Sequence, residues 1–214
     1  MFNRLLTDKY DDVNQIKDGF LPIEEAAYRG NTQLVRQLLE KKADITKAGT
    51  YYTPLTAACF NGHDDVVKLL CESKADLSQT NLSGYFPLQT AAGFNHTQVI
   101  KTLLNHRANI NQQDKNGCTA LHHAVIQNYC ETPQILLRMG ANMHLKDKQN
   151  RSPLSVARPN SKVANIMKEH ARKIKSLFVL GLFHPRQTKS ASLTGFANNA
   201  IFDKNLVREI LKFI

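Results

Sequence analysis

Residues 53–76 read TPLTAACFNGHDDVVKLLCESKAD, and this stretch decides the fold. Thr53-Pro54 is a helix opening: the Thr hydroxyl caps free amides and the Pro φ is pre-set for a first turn. The small pair Ala58-Cys59 lets that helix sit close to its neighbours. Gly62, eight residues after the Pro, tolerates the left-handed conformation and ends the helix. Val66-Val67 and Leu69-Leu70 follow at helical spacing and make the apolar face of a second helix. Ala75-Asp76 then begins a polar stretch. A unit of this size cannot bury its own apolar face, so it must stack on others.

The same frame recurs on both sides. Upstream it is Pro22, Gly30, Leu34-Val35, Leu38-Leu39 and Ala43-Asp44. Downstream it is Pro87, Asn95, Val99-Ile100, Leu103-Leu104 and Ala108-Asn109, then Ala120, Asn128, Ile135, Leu136-Leu137 and Ala141-Asn142. A fifth start is Ser152-Pro153-Leu154. The anchors at 22, 54, 87, 120 and 153 are separated by 32, 33, 33 and 33 residues. Turn residues mark the tips of the polar stretches at 81–84, 114–117 and 147–150. The pattern predicts an all-α solenoid of about five helix-turn-helix-hairpin units.

A period of 33 residues with Thr-Pro-Leu openings resembles the ankyrin repeat. The strongest matches are Thr53-Pro54-Leu55 with Gly62-His63, and Asp114-Lys115-Asn116-Gly117 with Thr119-Ala120-Leu121-His122. The signature His stands only at His122; Glu24, Thr56, Gln89 and Ser155 replace it. The Gly before the Ala-Asp pair survives as Gly140, with Lys42, Lys74 and Arg107 elsewhere. Pro133 is tolerable only within the first turn of its helix.

The reading divides the chain into an N-terminal cap at 1–16, with a capping helix around residues 8–16, a repeat array at 17–176, and a tail at 177–214. Repeats start near 17, 48, 81, 114 and 147. In the fifth, Arg158-Pro159-Asn160 replaces the usual helix end, and a basic second helix over 161–176 closes the array. The tail reads as a linker followed by an amphipathic helix, DKNLVREILKFI at 203–214.

The chain has 214 residues and a net charge of +10. The charge is uneven: residues 1–150 hold 16 basic and 15 acidic side chains, whereas 151–214 hold 12 and 3. No apolar run reaches the roughly 18–20 residues of a membrane span, and the first twenty residues do not read as a secretory signal. Cys59, Cys71, Cys118 and Cys130 form no CxxC pair and no zinc spacing, which fits free thiols in a cytoplasmic setting. Without Trp and with few aromatics, a base-stacking surface is poorly supplied, and no nucleic-acid motif accompanies the charge. No phosphate loop, GxSxG or HExxH is present. Cys118, His122, His123 and Cys130 occupy ordinary repeat positions, so no catalytic, metal or cofactor site is expected and the protein reads as non-enzymatic.

The ankyrin resemblance implies binding of a protein partner, by a monomer, through hairpin tips and the exposed side of the first helices. Carried onto this chain, the tip positions include Tyr51, Tyr52, Tyr85, Lys115 and Asn116. The first-helix positions include Tyr28, Arg29, Phe60, Asn61, Thr90, Phe94, His123 and Ile126. Tyr, Phe and Arg are common interface anchors. A second contact region is formed by Lys162, Lys168, Arg172, Lys173 and Lys175, with Leu206, Ile210 and Phe213 of the tail. The basic residues read as a solvated capping face or as a contact for an anionic surface. The tail is also similar to the first helix of F-box-like segments that close some viral and bacterial ankyrin proteins. That resemblance implies an adaptor or secreted effector recruiting a ubiquitin-ligase component in a host-cell cytoplasm.

Overall fold

The computed structural model describes residues 12–16, 19–49 and 51–179. They form α1 (Pro22–Tyr28), α2 (Thr32–Glu40), α3 (Pro54–Asn61), α4 (Asp64–Glu72), α5 (Pro87–Gly93), α6 (Thr97–Asn105), α7 (Ala120–Ile126), α8 (Glu131–Arg138), α9 (Pro153–Val156) and α10 (Lys162–Val179). The chain divides into two compact units at residue 120.

In the first unit, α1, α3 and α5 pack side by side as one row, and α2, α4 and α6 pack as a second row. Each first helix also packs on the second helix of its own repeat. Close approach follows from the small residues: Ala57, Ala58, Ala91 and Ala92 are wholly buried. The branched residues of the second helices, Val35, Val67, Leu70, Ile100 and Leu103, fill the space between the rows at 0% exposure. Truncating any one of these to Ala costs about 2–5 kcal/mol where the residue is Leu or Ile.

The helix starts are chemical. Thr53 and Thr56 cap one another reciprocally: the Thr56 amide donates to Thr53 Oγ1 at 3.1 Å and the Thr53 amide to Thr56 Oγ1 at 2.8 Å. Asn31 Oδ1 accepts the Leu34 amide at the start of α2. The ends are conformational. Gly30, Gly62, Asn95 and Asn128 take positive φ, from 60° to 75°, and stop the first helices, whereas Asn160, at 58°, comes after α9 has already ended. Lys42, Lys74 and Arg107 take the same conformation after the second helices, at 61°, 64° and 69°, where Gly140 stands in the fourth repeat at 92°. Three long side chains thus occupy a position that favours glycine.

The positions where other residues stand in place of the signature His also become clear. Gln89 donates from Nε2 to the carbonyls of Gln112 (3.0 Å) and Cys118 (2.9 Å), and its Oε1 accepts the Phe86 amide at 3.1 Å. Glu24 is fully buried and its carboxylate accepts the amides of Leu21 at 3.3 Å and Tyr52 at 3.2 Å. Each ties a first helix to the base of the following hairpin. Thr56 is too short and serves only the local cap.

In the second unit, α10 packs on α8 and α9. His122 is fully buried with Nε2 at 3.1 Å from the Arg151 carbonyl, which requires the Nε2-protonated ring. Asp147 receives Arg151 through Nε at 2.8 Å and Nη2 at 2.7 Å, stitching the base of the hairpin. Pro133 is the third residue of α8, inside the tolerant first turn. Helix α9 is only one turn long, since Ala157 is already extended two residues before Pro159. Ser161 Oγ caps α10 through the Ala164 amide. That helix continues to Val179, three residues into the segment read from sequence as tail.

Of the expected N-terminal capping helix, residues 8–11 lie outside the described residues. Residues 12–16 form a turn instead, because Asp12 Oδ1 captures the Asn14 amide at 2.8 Å. The rest of the cap, and the tail helix with Leu206, Ile210 and Phe213, also lie outside the described residues.

Candidate protein-binding surface

The last residues of the first helices converge in the first unit. Tyr28 ends α1, and Phe60 stands at the equivalent place in α3. Their rings stack, with centroids 6.1 Å apart at 19°. In the third repeat the equivalent residue is Gly93, and the ring comes one residue later. Phe94 meets Phe60 edge-on at 4.4 Å. From the hairpin side, Tyr52 lies 5.3 Å from Phe60 and 6.3 Å from Tyr28. Phe20 extends the row beyond Tyr28 at 6.5 Å. The result is a continuous aromatic strip running across three repeats.

Polar side chains hold this strip from beneath. The Tyr28 carbonyl accepts Asn61 Nδ2 at 2.7 Å and His63 Nε2 at 3.0 Å. The Phe60 carbonyl accepts His96 Nε2 at 2.9 Å, and the His96 ring lies parallel to Phe94 at 6.4 Å. Carbonyls left open at the helix ends are thereby satisfied by the next repeat. Gly30 and Gly62 make room for these imidazoles: a Cβ on either would overlap the ring of His63 or His96.

Tyr28 and Phe94 remain 37% and 47% exposed, and Tyr52, Phe60 and Phe20 are half-buried. Arg29 extends into solvent beside the strip, paired with Glu25 at 2.8 Å. Burial raises the Tyr52 hydroxyl pKa, with Tyr28 and Glu24 adding to the shift. The Tyr52 hydroxyl therefore stays neutral and can donate or accept a hydrogen bond.

Of the residues read from sequence, Tyr28, Tyr52, Phe60 and Phe94 come together, with Arg29 and Asn61 at their margin. Thr90 does not join them. It is 5% exposed and its hydroxyl donates back to the Phe86 carbonyl at 3.1 Å, so it offers no surface. Tyr51 is 56% exposed at the hairpin tip, where its carbonyl accepts the Leu82 amide at 3.0 Å. Leu82 is itself 74% exposed. Tyr85 is half-buried at the next hairpin, and Lys115 and Asn116 are exposed at the tip after that. His123 and Ile126 belong to the second unit, half-buried and exposed respectively.

Sequence reasoning missed Phe20, His96 and Leu82. Phe20 and His96 carry no repeat signal that marks a ring stack. Leu82 was detectable, because a lone Leu within the polar turn at 81–84 has no reason to be there for solubility.

Cys59 and Cys118 are buried, and burial pushes the Cys71 thiol up to about 11, with Glu72 and Asp64 adding to the shift. Among the described residues no group of His, Cys, Asp and Glu is arranged to hold a metal ion. No helix among them is long and apolar enough to cross a membrane.

Stacked helix pairs with projecting hairpins define a helical repeat protein. Residues 1–81 and 73–147 match the family described as Ankyrin repeats (3 copies), and the chain belongs to that family. A comparison with curated proteins found no match.

Proposed function

We propose that the protein is a non-enzymatic recognition module whose first compact unit engages a protein partner through the strip Phe20, Tyr28, Tyr52, Phe60 and Phe94. Ankyrin repeats are generally protein–protein interaction modules. The observation that carries this reading is the continuity of the strip. Five rings from three repeats touch in sequence, while the exposed faces of Tyr28 and Phe94 remain uncovered. Contiguous exposed aromatics rimmed by polar groups are the usual composition of an interface core. The Asn61 and His63 bonds to the Tyr28 carbonyl hold the rings in place before binding, which reduces the ordering cost of association. Arg29, at the margin, adds a charged anchor. The Tyr51–Leu82 tip contributes a second apolar contact.

The test is quantitative affinity purification with the full chain as bait, comparing wild type with Tyr28→Ala/Phe94→Ala. Circular dichroism of both proteins establishes that the helices persist. The reading requires that the double variant lose a reproducible set of partners. Equal recovery of every partner by a folded double variant would falsify it.

A further inference from the structure

Helix α10, in the second compact unit, has an apolar side that is already used. Val163 and Met167 are fully buried and Ala164 nearly so, with the helix packed on α8 and α9. Its solvent side carries Lys162, Lys168, Arg172 and Lys173, all exposed, and Arg158 is exposed just ahead of the Ser161 cap. From Lys162 to Arg172 the helix rises about 15 Å. Between residues 158 and 179 the only acid is Glu169, and it is bound to Lys173 at 2.8 Å. Among the described residues, Arg158, Lys162 and Lys168 have no carboxylate within ion-pair distance; Arg172 feels the Glu169 charge without forming an ion pair with it. Lys168 and Arg172 stand one helical turn apart, inside a Debye length at physiological salt, so their mutual repulsion is incompletely screened. In the first unit Arg29 and Lys68 are each closed by an acid one turn away.

We propose that this basic side of α10 is a docking surface for an acidic polypeptide segment. An extended chain covers about 15 Å in four to five residues. A short segment with carboxylates at both ends therefore reaches Lys162 with Arg158 at one end and Lys168 with Arg172 at the other. Arg172 suits a carboxylate in particular, because its planar fork can donate two parallel hydrogen bonds. Three features select this occupant. Firm seating of a basic helix on a bilayer uses a free apolar face beside the charges, and Val163, Ala164 and Met167 of α10 are buried in its own unit. Single-stranded nucleic acid would use exposed rings, and the only aromatic among the described side chains of the second unit is the half-buried Tyr129. The Glu169 carboxylate lies within the patch with its side chain 64% exposed. It opposes a continuous line of phosphates, whereas a peptide can place its discrete acids on either side of it.

The experiment uses the full chain and a fluorescein-labelled peptide of alternating Glu, Asp and Gly, read by anisotropy at low salt. Lys168→Glu/Arg172→Glu weakens binding about tenfold or more. Lys41→Glu/Lys101→Glu, which changes net charge equally but on the first unit, leaves the affinity within about twofold. Circular dichroism confirms folding, and Lys168→Gln/Arg172→Gln serves if the reversal variant does not fold. Absence of peptide binding overturns the proposal, as do equal losses in the two reversal pairs. So does tighter, Arg172-dependent binding to a DNA duplex or to phosphatidylcholine vesicles carrying phosphatidylserine.

Discussion

The buried carboxylate of Glu24 faces Gly49 so closely that a Cβ on the glycine would overlap it. The same carboxylate takes the backbone amides of Tyr52, Leu21 and Gly49. One acid thus ties α1 to the next hairpin, and one glycine makes the approach possible. Gly49→Ala is expected to destabilise the fold by about 1–3 kcal/mol, through overpacking against a charged group. In a Glu24→Ala background the same substitution should cost far less. Urea denaturation of the four proteins of this double-mutant cycle measures the coupling.

Glu24 also makes stability depend on pH. Burial raises its pKa above the ordinary 4.5, and the amide bonds to Leu21, Tyr52 and Gly49 only partly offset this. The folded state therefore holds a proton that the unfolded chain releases. The associated stability is fully present below about pH 4.5, the unfolded value, and is lost as pH rises through the folded pKa. Glu24→Gln removes this titration. The stability of wild type minus that of Glu24→Gln is expected to fall from pH 4 to pH 8; a difference constant with pH contradicts the assignment.

Lys42, Lys74 and Arg107 hold positive φ without being glycine. The left-handed conformation costs about 1–2 kcal/mol for such residues, partly offset by the extra freedom glycine has when unfolded. Each change to Gly should therefore stabilise by about 0.5–1 kcal/mol. The triple variant should melt measurably higher, and Gly140→Lys should melt lower. A triple variant with an unchanged or lower melting temperature refutes the strain.

His122→Ala removes the 3.1 Å bond to the Arg151 carbonyl, which keeps the Asp147 amide at 2.9 Å, and the lost hydrogen bond should cost about 0.5–1.5 kcal/mol. His122→Gln should recover much of that loss, because Gln89 already performs the same bridging in the preceding repeat through its amide. Equal destabilisation by Ala and Gln would show that ring packing, not the hydrogen bond, matters there.

Within the aromatic strip, stability and binding should separate. Phe60 touches Tyr28, Tyr52 and Phe94, so Phe60→Ala removes three ring contacts worth about 0.5–1.5 kcal/mol each. Phe94 is 47% exposed and makes one of those three contacts, so Phe94→Ala should lower the melting temperature less than Phe60→Ala while reducing partner affinity at least tenfold, as a hot-spot residue does. Melting curves beside affinity measurements distinguish the two roles.

The sequence by itself determined the repeat, its register and its punctuation. Pro at 54 and 87, Gly at 30 and 62 and Asn at 95 each act through their own backbone preferences, which need no neighbour to be read. It also supplied four of the five rings in the strip, since Tyr28, Tyr52, Phe60 and Phe94 fall on faces that a stacked array leaves outward. Tertiary structure decided the rest. Whether Thr90 or Phe94 reaches solvent depends on how α5 packs beside α3, a relation between chain segments and not a local propensity. Glu24 and Gln89 look like lapses from the repeat pattern until the hairpin amides and carbonyls they meet are in place. A side chain's donors and acceptors are written in the sequence, but the buried groups that must satisfy them are set only when repeats stack.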